Sequence, residues 1–393
     1  MFQCSHLRFP EFSGEWDHIS LSDIADIVGG GTPDTSVVEY WGGNIQWFTP
    51  SEIGKEKYAR LSERTITEAG IKNSSAKLLP QGTVLLSSRA TIGECSIARQ
   101  ECTTNQGFQS LIAETDKVTS EFLYYLVPTI KKEMLRRSCG STFLEISANE
   151  LRKIYVYRPS LIEQNKLAEF MSLVDLRIET QKKIIKKYES LIRGLTDVVF
   201  HYTPKVSLVP FSKLYAEAGE GGTPSTSHSD FYSGGAIPFI KIDDMVSKYL
   251  VAHKDHITEQ GMNNSSAWMI PSGSVIYSNG ATIGAISINK YPVCTKQGIL
   301  GIVPNKNVHV EYLYYLMTSQ YFRKEITKII TEGTIKTAYL KDINKIKCPL
   351  PDYYHQVQIA GHLSSITKKI ELEQQTLSVL QSQKQYMLWQ LFI

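Results

Sequence analysis

The chain has 393 residues, 42% hydrophobic and 21% charged, and 42 Lys and Arg against 39 Asp and Glu leave a net charge of +3. That length suits two or three domains with a large buried core, and the composition excludes a disordered chain. A nearly neutral protein must bind nucleic acid through local patches, and six cysteines without a C-x-x-C pair, beside a single close histidine couple (His253, His256), argue against structural zinc.

In chain order, residues 1–158 alternate short apolar runs such as 83–86 with Gly, Pro and Asn breakers, a strand-and-loop pattern with a helical piece at 120–137. From Pro159 the breakers disappear, which predicts a long helix over 159–202. Residues 203–350 return to strands and loops, with apolar residues at 274–277 and a helical piece at 310–330. A second long helix is predicted over 351–393. The first eight residues lack an apolar signal region, and no run of about eighteen apolar residues occurs, so no membrane segment is expected and the protein reads as reduced and cytoplasmic.

The second half repeats the first. Residues 70–97 align without a gap on residues 261–288 with 15 of 28 positions identical, an offset of 191. The same offset superposes Gly30-Gly31-Thr32-Pro33 on Gly221-Gly222-Thr223-Pro224, and Gln106-Gly107 on Gln297-Gly298. In the first predicted helix Leu167, Met171, Val174, Ile178 and Gln181 begin a seam with alternating spacings of four and three that runs to Val199. A shift of 192 carries it onto the second, from Ile359 to Leu391, with a polar residue at the same step, Gln181 and Glu373. The expected fold is therefore α+β: two tandem pseudo-symmetric domains (1–158 and 203–350) separated by two long helices that form an antiparallel coiled coil. Such a molecule is a caliper. Forty helical residues span about 60 Å, on the order of seventeen base pairs, and DNA is a ligand of matching length and periodicity.

With G-G-T-P opening each unit, an S-x-x-A-T-I-G turn (Ser87 to Gly93, Ser278 to Gly284), the Q-G pair and a P-x-x-x-E-Q helix start (Pro159 to Gln164), the whole chain resembles the specificity subunit of type I restriction-modification enzymes. The resemblance implies two target recognition domains, each reading one half of a bipartite double-stranded DNA target. It implies helices that set the spacing and bind methyltransferase subunits, two of them, with motor-nuclease subunits joining through that methyltransferase core. Two positions depart from the pattern: His355 replaces the acidic residue of the second helix start, and Lys384 interrupts the second seam where the first has Ile192.

The chain itself is expected to be non-catalytic and to need no cofactor. It has no Pro-Pro for an adenine methyltransferase motif, and no phosphate-binding loop, since Gly54-Lys55 is followed by Glu56. Pro33-Asp34 and Pro351-Asp352 lack the E-x-K of a nuclease site within about thirty residues and read as turns. Positions shared by the halves should hold the fold or phosphates, whereas polar positions that differ within a matched loop are candidates for base readout. Ser88-Arg89 against Asn279-Gly280 and Asn105 against Lys296 are such pairs, as are Ser141-Thr142-Phe143 against Thr334-Ile335-Lys336. The shared Thr32, Thr223, Thr91 and Thr282 are candidates for phosphate contact or turn capping. Gln106 and Gln297 read as internal struts, and Tyr124-Tyr125 as core.

Overall fold

A computed structural model of the chain describes residues 7–140, 144–201, 206–280, 282–330 and 336–392, and these divide into two compact units. One comprises residues 1–181 and 376–393, the other residues 182–375.

In the first unit a four-stranded antiparallel sheet has the order Ala25–Gly29, Gln109–Ala113, Val84–Leu86, Cys95–Ile97. A three-stranded sheet places Trp41–Phe48 between Arg64–Ile66 and Cys102–Thr104, the latter pairing parallel. Val84–Leu86 is an unbroken apolar run because both its faces are covered. Val84 and Leu86 point into the core under the helix Ser120–Arg137, and Leu85 points the other way, to Phe48, Leu79 and Phe108.

The second unit has the same strand orders. Tyr215–Glu220, Ile299–Pro304, Val275–Ser278 and Ile286–Ile288 form the larger sheet, and Ile237–Ile240 lies between Asp255–Ile257 and Cys294–Thr295 in the smaller. Val275 and Tyr277 again face one core and Ile276 the other. One element differs from the predicted continuous helix over 310–330, which is broken into Val310–Thr318 and Gln320–Ile329. Ser319 causes the break. Its hydroxyl donates to Leu316 O and accepts from Phe322 N, so it caps a new helix instead of continuing the old one.

The long helices are Leu161–His201 and Tyr353–Leu391. Their seam residues face inward except for Leu195, whose place is taken by Thr196 and Phe200. Each unit holds the start of one long helix and the end of the other, running antiparallel. In the first, Arg8 pairs with Glu163 while its neighbour Leu7 donates to Gln390 O, and Asp175 pairs with Lys384. Phe392 stacks on Phe122 with centroids 5.1 Å apart, matching Phe200 against Tyr312 at 5.4 Å in the second unit.

The helix-start glutamines are joints. Gln164 is fully buried. Its amide donates to Lys117 O and Pro159 O and its oxygen accepts from Thr119 N, the residue capping the domain helix. Gln356 makes the same three bonds to Asn307 O, Pro351 O and His309 N. The departure at His355 also has a cause. Glu163, only 2% exposed, holds Arg8 and the Trp16 indole of the N-terminal segment, whereas His355 is exposed and pairs with Asp352 in its own helix turn.

Candidate nucleic-acid interface

In each unit the loops singled out by the repeat converge at one place, and three of the four contacts that join them in the first unit are repeated in the second. Gly31 N donates to Thr104 O, Asn105 N to Phe48 O, Ser88 N to Gly107 O and Ile146 N to Ser88 O. In the second unit Lys296 N donates to Ile240 O, Asn279 N to Gly298 O and Ala338 N to Asn279 O. The G-G-T-P strand ends pass through this knot so closely that a Cβ on Gly30 would lie 2.0 Å from Asn105 O, and one on Gly221 2.1 Å from Thr295 O. Those glycines are thus required by backbone approach. The S-x-x-A-T-I-G turn closes by Gly93 N to Ser87 O in one unit and Gly284 N to Ser278 O in the other, with both glycines left-handed (φ +87° and +102°).

The structure revises several expected contacts. Ser88 and Asn279 are buried, and Asn279 Nδ2 donates to Ala338 O at 3.2 Å. A group facing the protein interior is not presented to a base edge, so this position is a joint between loops and not a reader. Thr32 and Gln106 bond to each other at the surface, the hydroxyl donating to Gln106 Oε1, and Thr223 Oγ1 accepts from Gln297 N. The glutamines are therefore exposed loop residues, not internal struts. Thr91 is exposed and shares a 2.9 Å hydrogen bond with Ser87, which supports its capping role.

Arg89 is exposed at the tip, its Nε 4.0 Å from Glu145 Oε2, and it precedes Ala90, the one non-glycine residue with positive φ (+60°) among the described residues. Asn105 is half-buried and accepts from Gly107 N through Oδ1. Lys296, Thr282 and Lys336 are exposed. Ser141, Thr142 and Thr334 lie outside the described residues. Tyr124-Tyr125 belong to the core, as expected.

Two features escaped the sequence reading. Trp47 Nε1 donates to Gly31 O, Trp41 packs edge-on against Trp47, and the Arg64 guanidinium lies 3.5 Å from the Trp41 ring centroid. An arginine is thus held flat beside the G-G-T-P loop, where the second unit has Asp255 paired with Lys241. In that unit Glu220 instead reaches the knot and accepts from Gly298 N at 2.8 Å. Arg64 against Asp255 is itself a diverged pair at the repeat offset, and the comparison applied to residues 88, 89 and 105 would have found it.

No group of three metal-binding side chains occurs among the described residues. Burial pushes the thiols of Cys95, Cys102 and Cys348 up to about 12 and that of Cys294 to about 11, so they stay protonated and unreactive at neutral pH.

The family model of the type I restriction modification DNA specificity domain matches the chain twice, over residues 13–190 and 215–382. The chain belongs to that family. A specificity subunit is the non-catalytic, DNA-recognising part of a type I restriction-modification enzyme, and this one carries two such domains in tandem. The specificity subunit of the type I restriction enzyme MjaIX from Methanocaldococcus jannaschii is 29% identical over 352 residues, covering 84% of this chain and 81% of its own. That of EcoR124I/EcoR124II from Escherichia coli is 26% identical over 176 residues, 43% of each chain. Among solved structures, a chain of a type I system described for its complex assembly and conformational transition superposes with a TM-score of 0.67 at 16% identity, covering 96% of this chain and 97% of its own. The S subunit from M. genitalium gives 0.56 at 14% identity, covering 100% and 99%. Both share the α+β fold with its long helices.

Proposed function

We propose that this specificity subunit reads a bipartite double-stranded DNA target, one half-site per domain, with domain limits 1–158 and 203–350. The long helices at 159–202 and 351–393 fix the gap and hold two methyltransferase subunits, through which motor-nuclease subunits join, all in the cytoplasm. No helix among the described residues is long and apolar enough to cross a membrane.

The observation that carries this reading is the repeated loop knot. Most of its backbone bonds match between the units, while the side chains around it differ: exposed Arg64 and Arg89 with half-buried Asn105 on one unit, exposed Glu220, Lys296 and Lys336 on the other. Equal frames with unequal chemistry suit two modules that read different sequences. Arginine addresses guanine, an amide adenine, and a carboxylate cytosine. Thr282 is assigned to a phosphate contact, and Thr91, bonded to Ser87, to capping its own turn.

Methylome sequencing of a host expressing the chain with its methyltransferase tests the proposal. It should return two unrelated short half-sites with a fixed unspecified gap. A single contiguous motif would overturn the bipartite reading.

A further inference from the structure

Away from the loop knot, each unit holds a polar cluster where its domain meets the long helix that starts there, around a lysine that is buried in the second unit and half-buried in the first. Lys248 is 5% exposed. Its ammonium pairs with Glu311 at 2.9 Å and donates to Ser364 Oγ at 2.7 Å and Tyr315 OH at 3.2 Å. Tyr249 and Ser364 donate to the same carboxylate, and Tyr315 OH bonds Thr367 Oγ1 at 2.8 Å.

The first unit repeats the arrangement with Lys57. Its ammonium donates to Ser172 Oγ at 2.7 Å and lies 4.9 Å from the Tyr125 ring centroid. Tyr58 donates to Glu121, and Tyr125 to Asp175 Oδ2 at 2.8 Å. Both lysines are fixed to the sheet through their own carbonyls, which accept from Ile97 N and Ile288 N, each at 2.7 Å. Lys384, the residue that breaks the second seam, pairs with Asp175 at 2.5 Å, where the second unit has Thr367 and Ile192. The seam irregularity therefore completes this cluster.

Burying an ammonium group is costly, and a well-packed apolar substitute is often no less stable. Apart from the Gln164 and Gln356 joints at the helix starts, which fix one point of each contact, the surroundings are apolar, built from Leu167 and Met171 in one unit and Ala360 and Leu363 in the other. Apolar burial is non-directional and lets a domain tilt or slide on its helix, whereas hydrogen bonds have a preferred direction. We propose that Lys57 and Lys248 are positioning residues that lock the angle of each recognition domain on its helix and thereby restrict the enzyme to one gap length. The inference rests on the bipartite reading above.

The test uses the chain assembled with its methyltransferase subunits, and duplexes carrying both half-sites with the gap changed by one or two base pairs. Lys57→Met and Lys248→Met should each reduce the preference for the native gap at least about ten-fold, with the bases of both half-sites unchanged. Leu123→Ala, which opens the first core and removes no polar group of the cluster, should lower the melting temperature and leave gap preference intact. Should a methionine variant fail to assemble, Ser172→Ala and Ser364→Ala remove the helix-side hydroxyl that each lysine donates to, leave the lysine in place and are read in the same assay. Native gap preference in the variants that assemble overturns the proposal. Absence of any gap preference in the unaltered complex would instead overturn the bipartite reading itself.

Discussion

If the paired helices set the gap, lengthening both by one heptad should lengthen the target. Insertion after Gln181 and after Glu373 places the new residues at the polar step of each seam, next to the boundaries of the two compact units. Seven residues add about 10 Å of helix and turn the face by only about 20°, so the seam on either side keeps its register. On DNA that length is roughly three base pairs, which also rotate one half-site against the other by about 100°. The helix pair supplies the length but not this rotation, so methylation should be slower than with the original chain. The assay is the methylated motif of the altered complex in cells. The expected result is two unchanged half-sites with a gap about three base pairs longer. Insertion into one helix alone mismatches the seams and should prevent assembly. Two intact half-sites with the original gap in the doubly extended chain would refute the ruler.

Arg64→Ala and Arg89→Ala should relax base preference in one half-site only, by about 1 to 3 kcal/mol for a lost bidentate contact, while Lys296→Ala acts on the other. Equal relaxation of both half-sites in any of these variants would contradict modular reading. Asn279→Ala should leave the motif unchanged and cost about 1 to 2 kcal/mol in urea unfolding, because it removes a buried bond to Ala338 O. A changed half-site would return this residue to the readers. Gln164→Ala and Gln356→Ala each orphan one buried N–H and two carbonyls and should cost about 3 kcal/mol apiece, measured on the full chain. A loss below about 0.5 kcal/mol would mean that water replaces the amide.

The duplication, the α+β alternation and the two long helices were legible in the amino-acid order because each leaves a local signature. Identity at an offset of 191, the disappearance of breakers after Pro159 and Pro351, and a seam with spacings of four and three all survive in one dimension. The break at Ser319 was not legible. A serine in a helical pattern either continues the helix or caps a new one, and the choice depends on whether Leu316 O and Phe322 N are in reach of its hydroxyl.

The tertiary structure decided which loop residues face solvent. Ser88 and Arg89 are neighbours in one turn, yet Ser88 exchanges backbone bonds with Gly107 and Ile146 and points inward, while Arg89 is left exposed. Arg64 gained its place through stacking on Trp41, twenty-three positions earlier in the chain. Lys384 interrupts the heptad pattern because Asp175 lies opposite it. Periodicity reports which face of an element is apolar. The partner of a polar side chain is set by contacts between segments far apart in sequence, and a local pattern contains no record of them.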